Sequence, residues 1–195
     1  MPIQTLQRLL DGNRRYMLNK STLDESERRR IGTAREGQHP VAMIFSCVDA
    51  RVPPELVFDQ GLGDLFVIRT AGQVLDRAVL GSIEFGAAEL HIPILMVLGH
   101  ESCGAVQVAL DVIRRGDEAQ AEMEYLVEAL EPALARGLMR GDDDLWEAAG
   151  RAQVQIQVEQ LREVPILASA VARGELGIVG AWYHLESGLV EITVE

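Results

Sequence analysis

Three short apolar runs, "PVAMIFSCVDA", "DLFVIRTAG" and "IPILMVLGH", constrain this chain more than any other feature. Each is brief, dominated by aliphatic and aromatic residues and bounded by turn-forming ones, a pattern that predicts strands buried on both faces. Between the second and the third, "AVLGSIEFGAAELH" places its apolar residues at helical spacing, so strand, helix and strand alternate as in a parallel sheet. After the third, "GAVQVALDVIRRG" predicts a helix stopped by Gly116, and near the end "LGIVGAWYHL" and "LVEITVE" flank "ESG", predicting two strands joined by a turn. The implied class is α/β: a mainly parallel central sheet of about four parallel strands plus a C-terminal antiparallel strand, flanked by helices.

With 195 residues and 48% hydrophobic content the chain supports one domain with a sizeable core, spanning 1–195. Within it, residues 1–36 read as an N-terminal helical arm and 37–195 as the α/β core. Ile3, Leu6, Leu9 and Leu10 recur at helical spacing, and Gly12 and Asn13 do not stop the pattern before Tyr16 and Met17. Residues 20–40 are polar and irregular and read as a solvated surface segment. Residues 117–173 read as helical, with interruptions expected at Pro132, Gly137, Gly141 and Pro165.

Charge and cysteine content narrow the function. The 30 acidic and 18 basic residues leave a net charge of -12, which repels phosphate backbones and anionic lipid surfaces, so neither nucleic acid nor a membrane is an expected partner. No apolar run approaches the roughly 20 residues of a membrane helix, and the start lacks a secretory layout, which points to the cytoplasm. In that compartment Cys47 and Cys103 are better suited to metal binding or catalysis than to a disulfide. Cys47, Asp49 and Arg51 fall at the carboxyl end of the first strand, and His100 and Cys103 follow the third. Strand carboxyl ends of an open parallel sheet converge on the ligand crevice, so two cysteines and a histidine can meet there. Such a set serves catalytic zinc, with a fourth position for water or for a carboxylate such as Asp49.

The motifs C-x-D-x-R, from Cys47, and G-H-x-x-C-G, ending at Gly104, resemble those of the β-class carbonic anhydrases. The resemblance extends to "LLDGNRRY", "RVPPELVFDQGLGDLFVIRTAG", "GSIEFGAAEL" and "GIVGAWYHLESGLVEI", and is weakest over 117–150. It implies Cys47, His100 and Cys103 as ligands of one zinc per chain, with Asp49 and Arg51 as the catalytic pair. The implied reaction is reversible hydration of carbon dioxide to bicarbonate and a proton, through attack by zinc-bound hydroxide, favoured toward alkaline pH by the thiolate ligands. Arg51 would hold Asp49, which once released becomes the fourth ligand of a closed state. Gln38, Phe66, Ala71, Phe85 and Gly104 are implied in the substrate pocket, with Gln38 and the apolar wall contributed across a homodimer interface, and a dimer of dimers as the further assembly. Phe85 stands where plant-type enzymes have tyrosine and Glu89 where some carry a proton-moving histidine, which leaves the proton route open. Ile44 replaces a tryptophan of members with an inhibitory bicarbonate site, so that regulation is expected to be missing.

Other readings stand beside these. The cysteines also suit a buried apolar pair, Asp49 and Arg51 a surface ion pair, Gln38 a surface residue, and Phe66 and Ala71 plain core. His39 and His184 show no partner and read as surface or strand-packing residues, and His91 as a helix C-terminal partner. Two alternative functions share the site: a hydrolase of carbonyl sulfide or carbon disulfide, and a non-catalytic zinc-binding regulatory protein.

Overall fold

The protein is described here by a computed structural model covering residues 2–23, 27–140 and 144–195. In chain order the elements are α1 (Pro2–Met17), α2 (Glu27–Glu36), β1 (Ala42–Cys47), α3 (Pro54–Val57), β2 (Leu65–Thr70), a 3-10 turn (Ala71–Gln73), α4 (Arg77–Ala88) and β3 (Ile94–His100). There follow α5 (Gly104–Arg115), α6 (Met123–Arg140), α7 (Leu145–Glu163), α8 (Pro165–Ala172), β4 (Gly177–Tyr183) and β5 (Val190–Val194). The strands form one sheet in the order β2-β1-β3-β4-β5, with four parallel strands and β5 antiparallel to β4. This is the expected single α/β domain. Among the described residues no helix is long and apolar enough to cross a membrane.

Strand alternation sorts the core into two layers. Met43, Phe45, Leu95 and Val97 point to one face and pack with Val79 and Ile83 of α4, Val154, Val158 and Leu161 of α7, and Leu167 of α8. Ala42, Ile44, Ile94, Met96 and Leu98 point to the other, against Leu9 of α1 and Val57 and Phe58 at the end of α3. A third cluster, built on α5, α6 and α7, closes over Cys47 and Cys103 at the carboxyl end of the sheet. Polar bonds fasten α1 to the opposite end of the chain. Buried Asn13 donates to Val57 O at 3.1 Å and to Gly188 O at 2.7 Å, and accepts from the Val190 amide at 2.9 Å.

Several expectations change. β1 and β3 are buried throughout, but β2 is half-buried along its length, because it is the sheet edge and, among the described residues, no further strand pairs beyond it. The polar segment expected to be irregular contains α2, fastened by Arg29 Nε donating to Leu62 O and by its ion pair to Asp64. Pro132 and Gly137 do not interrupt α6, which runs through both. A Cβ at Gly137 would lie 2.8 Å from Ala149 N, so this glycine permits close crossing of α6 and α7 rather than breaking a helix. Pro165 does end one helix and begin the next. The interruption expected at Gly141 lies outside the described residues.

Candidate metal centre

Parallel pairing of β1 with β3, Ser46 opposite Leu98, brings the two strand ends together although Cys47 and His100 are far apart in sequence. Cys47 ends β1, His100 ends β3, and Cys103 is the residue from which α5 departs. One ligand atom from each lies within 4.8 Å of the others, and all three residues are buried. The link between His100 and Cys103 turns back through Ser102, whose φ of 53° is left-handed, an uncommon conformation for a side-chain-bearing residue.

The donor atoms are prepared for a shared cation. His100 Nδ1 lies 2.8 Å from Glu101 O. A carbonyl only accepts, so Nδ1 carries the proton and Nε2 keeps its lone pair. That Nε2 is buried without a hydrogen-bond partner, an expensive arrangement for a polar atom unless a ligand meets it. The Cys47 and Cys103 sulfurs are 3.8 Å apart. Two sulfurs each about 2.3 Å from one ion at the tetrahedral angle would stand about 3.8 Å apart, so the residues present fit zinc in spacing as well as in donor type.

The two thiols are unequal. The hydrogen bond from Cys103 lowers the pKa of Cys47, burial opposes it, and His100 and the amides of Gly72 and Asp49 add to the lowering. Cys103 is pushed up, first by that hydrogen bond to Cys47 and then by burial. Backbone amides nevertheless favour the thiolate at both sulfurs, those of Val106 and Ala105 at Cys103 and those of Gly72 and Asp49 at Cys47. The Gly72 amide, 3.4 Å from the Cys47 sulfur, depends on a φ of 63° that glycine supplies at little cost.

Asp49 is not part of the three-ligand group. Its Oδ1 accepts from the Arg51 amide at 2.9 Å and from Nε at 3.0 Å, and its Oδ2 from Nη2 at 2.7 Å. This two-pronged pairing, with burial opposing, holds the carboxyl down at about 2. Arg51 Nη2 also donates to Ser102 O at 3.2 Å, tying the pair to the loop between His100 and Cys103. It is therefore no loose surface bridge.

The other predicted residues are more dispersed. Gln38 is exposed just before β1, Phe66 is half-buried on β2, and Phe85 on α4 is exposed, with the two rings 6.3 Å apart. Ala71 opens the 3-10 turn, next to the glycine facing Cys47. Gly104 is the first residue of α5, where amides lack intrahelical partners, and a Cβ there would meet nothing within 4 Å. Ile44 is buried in β1 and Glu89 is exposed after α4. His39 lies 3.2 Å from Glu36 O, and His91, with φ 52°, stands exposed beyond the end of α4.

Sequence reasoning missed four supports. Arg69 reaches from β2 to Cys47 O at 2.8 Å and to Asp49 O at 2.6 Å, and an arginine inside an apolar run was its available signal. Trp146 Nε1 donates to Cys103 O at 2.8 Å from across a helix the sequence does not relate to it. His184, which the sequence left without a partner, lies 2.7 Å from Glu101, itself unremarked beside His100.

Comparison with known proteins gives the family. The family profile described as Carbonic anhydrase matches residues 42–190, which contain the whole triad. A carbonic anhydrase of Mycolicibacterium smegmatis is 39% identical over 193 residues, covering 98% of this chain and 93% of its own. The solved structure of the β-carbonic anhydrase CcaA superposes with a TM-score of 0.76 at 26% identity, covering 97% of this chain and 99% of its own. Tetrameric β-carbonic anhydrases of Sordaria macrospora share the fold, with a TM-score of 0.76 at 19% identity over 97% of this chain and 96% of theirs. Family profile, relatives and fold together establish that this chain belongs to the carbonic anhydrases and is an enzyme of their β class.

Proposed function

We propose that the chain catalyses reversible hydration of carbon dioxide to bicarbonate and a proton, using one zinc per chain held by Cys47, His100 and Cys103. The observation that carries this reading is the buried triad with a bare His100 Nε2, beside a carboxylate that Arg51 holds aside. Zinc in such a site lowers the pKa of a bound water toward neutrality and so provides hydroxide. Asp49, kept ionised by Arg51, is an acceptor that would draw the hydroxide's O–H toward itself and leave an oxygen lone pair facing the gas. Were Arg51 to let go, the same carboxylate would be free to serve as a fourth ligand and close the site. The open amides at the start of α5, Gly104 among them, suit an anionic product.

Phe66, Phe85, Ala71 and Gln38 supply the substrate pocket in this reading. In the single chain their faces are open, consistent with a pocket completed by a second copy, and the tetrameric Sordaria macrospora relatives support a dimer or a dimer of dimers. We place the enzyme in the cytoplasm and treat 1–36 as an arm on the 37–195 core of one domain. A stopped-flow pH-indicator assay tests the function: hydration should be fast in protein holding about one zinc per chain, stop with a zinc chelator and return with zinc. Rapid sulfide release from carbonyl sulfide with negligible hydration would redirect the substrate assignment.

A further inference from the structure

Glu101 follows the ligand His100 directly and ties it to the far end of the sheet. Its carbonyl takes the His100 Nδ1 proton, and its amide donates to Tyr183 O at 3.1 Å. Its carboxylate grips the turn between β4 and β5: Oε1 lies 2.7 Å from His184 Nδ1, and Oε2 accepts from the Leu185 amide at 2.8 Å. His184 is itself set by its turn, its amide donating to Leu189 O at 2.9 Å and its carbonyl accepting from Gly188 at 2.8 Å. The other ring nitrogen faces Glu191 Oε2 at 3.4 Å, and Glu191 pairs with Arg151, whose guanidinium stacks 4.8 Å over Trp182. Solvent-facing pairs contribute little, but the Glu101 and His184 side chains keep only 30% and 25% of their exposure.

We propose that Glu101, held by His184, is a positioning residue for the metal ligand His100. The inference deepens the zinc reading above and rests on it. His100 presents Nε2 only while the Glu101 carbonyl holds Nδ1–H, and the direction of that carbonyl is set by the residue whose amide and two carboxylate oxygens are all anchored on the β4–β5 side. Release the carboxylate and the peptide after Glu101, which carries that carbonyl, gains freedom to rotate. The imidazole then loses the partner that fixes both its tautomer and its tilt. His184 acts only through Glu101, so the two contributions form one chain rather than a sum.

Zinc affinity, measured by competition with a chromophoric chelator, and the absorption bands of the cobalt-substituted protein test this without recourse to turnover. Glu101→Ala should bind zinc about 10–100-fold more weakly and shift the cobalt bands. His184→Ala should show part of that loss, and the double variant should bind no more weakly than Glu101→Ala alone. Glu101→Gln, which keeps an acceptor for the Leu185 amide, should fall between wild type and Glu101→Ala, and carries the test if the alanine variant fails to fold. Wild type that takes up no zinc would remove the metal-site reading itself. Wild type that binds zinc, with the Glu101 variants matching it within about twofold and their cobalt bands unmoved, would overturn the positioning assignment alone, even if their thermal midpoints fell. Losses that add in the double variant would also overturn it.

Discussion

At the scale of single residues, the pairing of Asp49 with Arg51 sets two opposite expectations. In Arg51→Ala the carboxylate loses its two-pronged partner and is free to fill the fourth position, so zinc should stay and hydration should drop by about 10²–10⁴-fold. Asp49→Ala should be similarly slow for the other reason, an open site without its orienting acceptor. Crystal structures of the two would separate them, with a carboxylate oxygen as fourth ligand in the first and solvent or an anion in the second; near wild-type hydration by Arg51→Ala would refute the scheme. Acid stability turns on a different carboxylate. Burial pushes Asp59 up, but hydrogen bonds from Ser21, Arg15 and Thr22 outweigh it and hold it at about 2. A carboxyl at about 2 in the fold against about 4 in the unfolded chain adds about 2–3 kcal/mol of stability above pH 4, lost as pH falls toward 2. Asp59→Asn should therefore unfold earlier in urea at pH 7, and its deficit against wild type should shrink below pH 4. The triad and the Asp49–Arg51 pair were legible because their short spacings, C-x-D-x-R and H-x-x-C, carry the chemistry. Glu101 and His184 were not, because 83 residues separate them and only the opposition of His100 and Tyr183 across β3 and β4 brings them together.

Among the elements, legibility followed periodicity. The strands, α4 and α5 repeat their apolar residues at regular spacing and were readable, whereas α2 has little apolar content and is held by Arg29 and Asp64, a tertiary partnership that no local pattern carries. Gly137 misled for a related reason: its propensity says break, while its smallness serves packing. Gly137 does this for α6 on α7, and Gly12 does it for α1, since a Cβ there would run into Phe58 O. Gly12→Ala should therefore lift α1 from the core despite its better helix propensity, and lower stability by about 1–3 kcal/mol in chemical denaturation. An unchanged or raised midpoint would show that α1 does not pack this closely.

For the whole molecule, an unpaired edge at β2 and the open face carrying Phe66 and Phe85 set the expectation for assembly. Sedimentation of the active enzyme should give a dimer or tetramer, and dilution to monomer should abolish hydration; an active monomer at assay concentration would contradict it. The single-chain fold was readable from its alternation of strands and helices, but the pocket was not, since its open faces look outward and hydrophobic pattern alone does not say what covers them. One bond described above also bears on how the chain is made. Asn13 in α1 is anchored by Gly188 and Val190, 175 and 177 residues further along. At 5–20 residues per second a ribosome needs about 10–35 s to travel that distance. Until then Asn13 has Val57 O alone among its three partners, so α1 is fully fastened only once the turn between β4 and β5 has been made.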